Sequence, residues 1–246
     1  MSGASMIVGR LGVIGGAGPM ASTYFCERLF RLCQEERGAC DDADFPELVL
    51  LSQAIPGLDA QGLTDPAAAL TALRARIASL EELGCTAIAI PCNSLSVLRA
   101  QLSAMTSLRI VDIVQAVVAA TMSRGFTRVA VLASPSLQQS GMYSRQLLAA
   151  GVRCIELSPL ETAVVEEAIL SGMSGRRHAR SRVAVQQLCT QLAARGAHAV
   201  VLGCTELPLL NLEPFEAGLP LVDCTEELAL SVIQHLFAHE SHESAI

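Results

Sequence analysis

Two stretches of this chain repeat the same pattern around a cysteine. The segment 80–94 reads LEELGCTAIAIPCNS, and the segment 192–206 reads LAARGAHAVVLGCTE. They align without a gap, which places Cys92 opposite Cys204, 112 positions away. Each has the pattern of a helix end, a glycine that stops the helix, a buried strand, and a cysteine followed by a polar residue. The repeat predicts a duplicated fold that keeps one thiol in each copy.

The repeat extends over most of the chain. RLGVIGGAGPMASTYF, which begins at Arg10, corresponds to RVAVLASPSLQQSGMY, which begins at Arg128. LRIVDIV, from Leu108, corresponds to LPLVDCT, from Leu219, and ELVLLSQAI corresponds more weakly to RCIELSPLE. Strands that alternate with helices in this way predict a parallel sheet covered by helices on both faces. The predicted fold class is therefore α/β, with two pseudo-symmetric domains and a cleft between them.

Breaks in the pattern predict where the halves meet. The N-terminal α/β half is expected to span residues 1–122, and the C-terminal half residues 123–224. A last helix, over residues 225–239, is expected to cross back onto the first half. The segment after Phe237, rich in His and Glu, is expected to be a frayed terminus.

The composition excludes several classes of protein. All 17 basic residues are arginine, so the chain offers no lysine for a pyridoxal phosphate Schiff base or for a P-loop. The formal net charge of −7 and the scattered arginines argue against a nucleic-acid-binding surface. No apolar stretch approaches the roughly 20 residues of a membrane span, and no signal peptide is evident.

The cysteines indicate reduced thiols. There are nine of them, an odd number without a CxxC pair, in a chain too long for a disulfide scaffold. We therefore predict a soluble cytoplasmic protein in which most cysteines pack as small hydrophobes. The five histidines do not cluster with the cysteines at ligand spacing, so no metal site is expected. A G-x-G-x-x-A match at 16–21 is a weak nucleotide signal, because Pro19 suits the first position of a helix.

The conspicuous residues are predicted to meet at one edge of the fold. Ligands of parallel α/β sheets bind beyond the carboxyl ends of the strands. Cys92 and Cys204 follow buried strands, and the loops Gly15–Pro19 and Ser134–Ser136 follow two others. Related by pseudo-symmetry, these four segments are expected to line one cleft between the halves.

Two facing thiols suit proton transfer at a carbon atom. Inversion of a weak carbon acid requires a base on one face and an acid on the other. With an unperturbed pKa of about 8.5, one thiol can act as a thiolate while the other stays protonated. The alternative is that Cys92 and Cys204 are core cysteines kept from a shared ancestor. Asp112 and Asp223, which end buried strands, are expected to cap helices or make hinge contacts.

The motifs resemble those of the aspartate/glutamate racemase family. VIGGAGPMA near the N-terminus, PCNS in the first half and GCTEL in the second follow the family's pattern in order, over nearly the full length. The resemblance implies an amino-acid racemase without cofactor or metal, and a homodimer. It implies that Cys92 and Cys204 are the two catalytic cysteines, which exchange roles with the direction of the reaction.

The resemblance also implies a set of substrate-binding residues. Asn93, Ser94 and Thr205 match residues that hold the α-carboxylate, and Gln53 falls at a family substrate contact. The loops Gly15–Pro19 and Ser134–Ser136, which follow the first strand of each half, add Ala17 and Ser134 to the predicted site. The ligand is expected to be a small amino acid or dicarboxylate, with aspartate or glutamate as the first candidates.

This chain departs from the family's pattern at three places. The histidine that commonly ends the first cysteine motif is replaced by Ser96, and a frequent arginine would fall near Leu58. A lysine that meets the distal carboxylate would lie in the loop 172–177, where Arg176 or Arg177 is the available substitute. Two alternatives therefore stay open: an enzyme like maleate cis–trans isomerase, and a ligand-binding relative without catalysis.

Overall fold

The computed structural model describes residues 9–176, 178–213, 215–216 and 218–237. Within them the chain forms two mainly parallel sheets flanked by helices, and a separate two-stranded hairpin. The predicted α/β fold class with two similar halves is confirmed. The tail expected to fray after Phe237 lies outside the described residues.

The strands and helices of the described segments alternate along the chain. The strands are β1 (Arg10–Gly15), β2 (Glu47–Ser52), β3 (Leu58–Asp59), β4 (Gly62–Leu63), β5 (Ala87–Ala89), β6 (Arg109–Val111), β7 (Arg128–Leu132), β8 (Arg153–Ile155), β9 (Ala199–Leu202), β10 (Phe215–Glu216) and β11 (Leu219–Asp223). The α-helices are α1 (Pro19–Arg37), α2 (Pro66–Glu82), α3 (Arg99–Ser103), α4 (Ile113–Ser123), α5 (Pro135–Ser140), α6 (Met142–Ala149), α7 (Pro159–Ser174), α8 (His178–Ala194) and α9 (Cys224–Leu236). Short 3₁₀ helices cover Asp42–Asp44, Ser94–Leu98 and Pro208–Leu210.

The two sheets have the same strand order. The first runs β2-β1-β5-β6, and the second runs β8-β7-β9-β11, with the short β10 added antiparallel to β11. The strands β1, β2, β5 and β6 therefore correspond in position to β7, β8, β9 and β11. These are the four pairs that the sequence repeat predicts, including the weak pair of β2 and β8. The duplication that the cysteine segments indicate is confirmed for both sheets.

Local sequence signals explain where the helices begin. Pro19 starts α1, and Pro66 starts α2 directly after Asp65, whose carboxylate accepts two backbone N–H groups. Proline suits this position because its missing N–H would have no partner in the first turn. At the start of α7, Ser158 and Glu161 form a capping box, in which each side chain accepts the other residue's backbone N–H.

Asp112 and Asp223 cap helices, as the sequence predicts. Oδ1 of Asp112 accepts the backbone N–H groups at the start of α4, and Oδ1 of Asp223 does the same for α9. The second oxygen of Asp112 accepts a hydrogen bond of 2.6 Å from Arg99. The second oxygen of Asp223 accepts one of 3.1 Å from the hydroxyl of Tyr24. Both carboxylates therefore hold the ends of strands to the helices that follow.

The last helix lies on the first half of the chain. α9 packs against α1 and α4, and its residues Leu228, Val232 and Leu236 are fully buried. Two ion pairs tie its first turn to those helices: Arg28 with Glu226 at 2.6 Å, and Arg124 with Glu227 at 2.5 Å. The exact bounds of the halves, 1–122 and 123–224, stay a prediction.

The connection between the third and fourth strands differs from the expected helix. In the first half it is a 3₁₀ turn followed by the five-residue α3, and in the second half it is a 3₁₀ turn followed by β10. The alternation of strands and helices that the sequence predicts is therefore interrupted at this connection of the second half, where the described residues form no α-helix. Asn211 adopts a φ of 53°, in the left-handed region, and this conformation ends the turn after Leu210.

Candidate active site

The two repeated cysteines meet at one cavity between the halves. Cys92 follows β5 and Cys204 follows β9, which are equivalent strands of the two sheets. Both line a cavity of about 160 Å³ at the carboxyl ends of the strands. Because roughly 10–15 Å³ of such space holds one water molecule, the cavity has room for on the order of ten non-hydrogen atoms. A small amino acid is of this size.

Burial favours the protonated form of both thiols. It raises the pKa of Cys92 to about 11 and that of Cys204 to about 12. Backbone N–H groups oppose this effect: those of Ser94 and Leu95 bond the sulfur of Cys92, and that of Glu206 bonds the sulfur of Cys204. Each thiol therefore has N–H donors in place for its thiolate form.

A buried carboxylate lies beside the two thiols. Glu206 is 4% exposed, lines the cavity, and has no hydrogen-bond partner on Oε2. Burial raises its pKa to about 7, and its charge in turn raises the pKa of Cys92 and Cys204. Its place depends on two glycines, because a Cβ at Gly18 would collide with Oε1 and a Cβ at Gly172 with its backbone oxygen.

The loop after Cys92 is hydrogen-bonded to the second half. The hydroxyl of Thr205 donates to the carbonyl of Pro91 at 3.3 Å, and the hydroxyls of Ser94 and Ser134 lie 3.0 Å apart. These contacts hold the two cysteine loops against each other across the cleft. Three of the predicted substrate-binding residues, Ser94, Ser134 and Thr205, thus take part in contacts between the halves and line the cavity wall.

Asn93 is held from two sides. Its Oδ1 accepts a hydrogen bond of 2.5 Å from the hydroxyl of Tyr143, and its Nδ2 donates to the sulfur of Cys224 at 3.1 Å. All three residues are buried. One hydrogen on Nδ2 remains for a ligand, because an amide nitrogen carries two. Asn93 lines the cavity with its orientation already fixed.

A β-hairpin from the first half crosses the mouth of the cavity. Its strands β3 and β4 bring Leu58 and Asp59 to the cavity wall. At the tip, the carbonyl of Gln61 accepts a hydrogen bond of 3.1 Å from the backbone N–H of Ser136, and its side chain bonds Glu166. The hairpin thereby joins the first half to α5 and α7 of the second.

The structure brings most of the predicted site residues together, but not all of them. The cavity wall contains the predicted residues Ala17, Cys92, Asn93, Ser94, Ser134, Cys204 and Thr205. Gln53 is exposed and does not line the cavity; its backbone packs against Gly16, where a Cβ would collide with it. Arg176 is also exposed and away from the wall, and Arg177 lies outside the described residues.

Sequence reasoning missed three buried residues of this region: Tyr143, Glu206 and Cys224. Tyr143 occupies the position of the repeat that corresponds to Tyr24, and Glu206 is the last residue of the GCTE motif. Both residues could therefore have been identified from the sequence as candidates. Nothing local signalled that their side chains turn toward the cleft. Cys224 directly follows the capping Asp223, and no motif set it apart from the other cysteines.

The described residues contain one set of side chains close enough to share a metal ion, Cys40, Asp41 and Asp44. It lies on the surface, and the carboxylate of Asp44 already accepts the backbone N–H groups of Cys40 and Asp41 at 2.9 Å. None of the helices described is long and apolar enough to cross a membrane.

Comparisons with known proteins place the chain in a family. The family model for Asp/Glu/Hydantoin racemase matches residues 14–232. The broad specificity amino-acid racemase RacX of Bacillus subtilis is 23% identical over 231 residues, which cover 94% of this chain and all of that protein.

Solved structures share the fold. The aspartate racemase of Picrophilus torridus superposes with a TM-score of 0.79 at 22% identity, over 93% of this chain and 94% of its own. An aspartate racemase homologue from Pyrococcus horikoshii superposes with a TM-score of 0.78 at 20% identity, over 93% and 99% of the two chains. With a family model that covers most of its length, this chain belongs to the Asp/Glu/Hydantoin racemase family.

Proposed function

We propose that the protein racemises an amino acid by proton transfer between Cys92 and Cys204, without a cofactor. The observation that carries this proposal is the position of the two thiols: they follow equivalent strands of the two sheets and line one cavity. An α-carbon bound between them would have one thiol from each half of the fold. One thiolate removes the α-proton, and the other thiol delivers a proton to the opposite face.

The residues around the thiols support a preorganised site. Ser94 and Ser134 share one hydrogen bond, which leaves one of their two hydroxyl hydrogens free, and Nδ2 of Asn93 has one more; both hydrogens are available for an α-carboxylate. The hydroxyl of Thr205 already donates to the carbonyl of Pro91, so its role is to hold the two cysteine loops together. Backbone N–H groups stand at both sulfurs, so a thiolate formed there is stabilised without rearrangement. Because the cavity lies between the two halves, little water reaches the reacting carbon. The interactions that stabilise the carbanion-like transition state are stronger for that reason.

The substrate, oligomeric state and location are finer parts of the proposal. The family resemblance puts aspartate and glutamate first, and the broad specificity of the Bacillus subtilis relative widens the candidates to other amino acids. The homodimer and the cytoplasmic location rest on the resemblance and on the cysteine usage alone. Light scattering on the purified chain would determine the oligomeric state.

The test is α-proton exchange in D₂O, followed by proton NMR, with a panel of L-amino acids and no added cofactor. Loss of the α-proton signal for one or more of them is expected. The double variant Cys92→Ala, Cys204→Ala should lose the exchange, whereas Cys40→Ala, which removes an exposed cysteine, should keep it. Full exchange by the double variant would contradict the two-thiol mechanism. Silence across the panel would favour an isomerase like maleate isomerase or a binding protein.

A further inference from the structure

A second cavity lies beyond the carboxyl ends of β7 and β8. It measures about 340 Å³, against about 160 Å³ for the cavity between the thiols, and the two share no wall residue among those described. Its apolar wall residues are buried or half-buried: Val131, Ala133, Leu137, Ile155 and Leu157. Its polar wall residues other than Tyr143 are half-buried or exposed: Gln138, Gln139, Ser144, Cys154 and Glu156.

This cavity lies where the two halves depart from their symmetry. In the first half, β1 leads into one continuous helix, α1, of 19 residues. In the second half, the corresponding segment is broken into α5 and α6 at Gly141, which has a φ of 63° and lines the cavity. Glycine adopts this left-handed conformation without a steric penalty. The break gives the cavity a wall that has no counterpart in α1.

The wall suits a mainly apolar ligand without negative charge. Small-molecule sites are typically lined by hydrophobic side chains, with a few polar groups that orient the ligand. Among the described wall residues, Glu156 has the one charged side chain, an exposed carboxylate. Arg145, on α6, is exposed and donates to the carbonyl of Ser140 at 2.7 Å. Gln138 keeps one amide hydrogen for a ligand, because its Nε2 donates the other to the carbonyl of Ala133.

One segment, residues 131–143, separates the second cavity from the thiols. Ala133 lines the second cavity, and Ser134, the next residue, lines the cavity between the thiols. The ring of Tyr143 lines the second cavity, and its hydroxyl donates to Oδ1 of Asn93 at 2.5 Å.

The Tyr143 ring also lies against the other thiol loop. A Cβ on Gly203 would stand 3.3 Å from Cε2 of Tyr143, so the ring packs against the backbone directly before Cys204. Tyr143 therefore touches the second cavity with its ring and both thiol loops from its other side.

We propose that the second cavity binds a neutral molecule with a hydrocarbon or aromatic body, and that this ligand strengthens the contact between Tyr143 and Asn93. Because roughly 10–15 Å³ of such space holds one water molecule, the ligand has on the order of twenty non-hydrogen atoms. The Tyr143 ring belongs to the cavity wall in the position where its hydroxyl meets Asn93. A ligand that packs on the ring favours that position, since a ligand stabilises the state to which it binds more tightly. This site and its coupling do not depend on the reaction at the thiols.

A dye titration tests the ligand class. N-phenyl-1-naphthylamine is neutral, has two aromatic parts joined by one N–H, and fluoresces more strongly in apolar surroundings. We expect saturable binding of one dye per chain. The sulfonated analogue 8-anilinonaphthalene-1-sulfonate has the same rings and a negative charge, and its Kd should be higher by about threefold or more. A titration without saturation would contradict the site, and equal or tighter binding of the sulfonate would contradict the neutral class.

Cysteine labelling locates the bound dye. Cys154 is a half-buried residue of the cavity wall, whereas Cys40 is exposed and does not line it. Saturating dye should slow iodoacetamide labelling of Cys154 at pH 9, by about fivefold if four-fifths of the cavities are closed to the reagent, and leave that of Cys40 unchanged. Protection of Cys92 and Cys204 without Cys154 would place the dye between the thiols and overturn the proposal.

A filled cavity should no longer bind the dye. Leu157→Trp adds bulk to the cavity wall and should abolish binding. Leu160→Trp is the matched control, because Leu160 is 82% exposed and does not line the cavity. An unchanged Kd in Leu157→Trp would contradict the site. Where this variant folds poorly, protection of Cys154 in the parent protein still decides the location.

Tyr143→Phe tests the coupling, because it keeps the ring in the wall and removes the hydroxyl. In the parent protein the dye should slow labelling of Cys92 by about threefold, since this buried thiol is reached only when its loop opens. In Tyr143→Phe the dye should still protect Cys154 but no longer Cys92. Tyr24→Phe, which removes a hydroxyl bonded to Asp223, should keep both effects. No effect on Cys92 in the parent, or an equal effect in Tyr143→Phe, would overturn the coupling.

Discussion

The hydroxyl of Tyr143 donates a hydrogen bond of 2.5 Å to Oδ1 of Asn93, across the cleft between the two halves. Tyr143 belongs to α6 of the second half, and Asn93 directly follows Cys92 in the first. Both side chains are nearly inaccessible to solvent. The bond therefore fixes the loop that carries one proposed catalytic thiol against the half that carries the other.

Removal of this hydroxyl should weaken both the fold and the activity. Tyr143→Phe leaves Oδ1 of Asn93 buried without its donor, which costs about 1–3 kcal/mol in the free energy of unfolding. We expect kcat/KM to fall by about tenfold, because the loop beside Cys92 loses its fixed position. Urea denaturation and α-proton exchange measure the two effects.

The matched control for this variant is Tyr24→Phe. Tyr24 donates to Asp223 from α1 and does not line the cavity between the thiols. It should lower the stability with little effect on kcat/KM. Equal losses of activity in the two variants would show that the Tyr143 hydroxyl acts only through general stability.

The reactivity of the two thiols should rise steeply with pH. Because the pKa of Cys92 is about 11 and that of Cys204 about 12, the thiolate fraction grows about tenfold per pH unit between pH 7 and 10. Iodoacetamide labelling of each cysteine, followed by peptide mass spectrometry, should show this slope, and a bound substrate should protect both. Labelling that levels off below pH 8 would contradict the burial of these thiols.

Glu206 should restrain the same reaction. Its negative charge raises the pKa of both thiols, and this charge is present above pH 7. Glu206→Gln should therefore speed the labelling of Cys92 and Cys204 at pH 9, whereas the exposed change Glu82→Gln should not. A slower reaction in Glu206→Gln would mean that the carboxylate activates the thiols.

The buried acids should make the protein less stable as the pH rises. The pKa of Glu206 in the folded protein is about 7, above its ordinary value near 4.5, so the folded state binds more protons than the unfolded state between these values. The contribution of Glu206 to the free energy of unfolding is therefore largest below pH 4.5. It decreases by up to about 3 kcal/mol as the pH rises from 4.5 through 7. Asp223, with a pKa raised to about 6, adds a change of the same sign.

Chemical denaturation at pH 5 and pH 8 tests this linkage. Glu206→Gln should reduce the loss of stability between the two values, and the part due to Asp223 should remain. Glu82→Gln should follow the parent protein. A Glu206→Gln variant with the full loss would place the origin of the pH dependence elsewhere.

The sequence was sufficient to predict the duplicated sheets. Buried parallel strands are continuous apolar runs, and the repeat kept both these runs and their spacing from Cys92 and Cys204. The caps at Asp112 and Asp223 are also predictable, because an aspartate between a strand and a helix accepts the free backbone N–H groups of that helix's first turn. Buried strands and helix caps depend on residues close in sequence and could therefore be predicted.

Contacts between segments that are distant in sequence could not be predicted in this way. Glu206 has room beside the thiols because Gly18 and Gly172, from opposite halves, carry no Cβ that would collide with it. The hairpin 58–63 reaches the second half through hydrogen bonds to Ser136, and no local pattern predicts that partner. Gln53 and Arg176 were expected at the site from their place in motifs, but side-chain direction depends on packing that a motif does not specify.

In the proposed mechanism, Cys92 and Cys204 serve opposite faces of one carbon. The most direct test is a short racemisation in D₂O, with mass spectrometry of each enantiomer separated at low conversion. Two bases predict deuterium in the product enantiomer while the remaining substrate keeps its proton, because each thiol exchanges its hydrogen with solvent and serves one face. Equal deuterium in substrate and product from the start would indicate a single base and contradict the two-thiol mechanism.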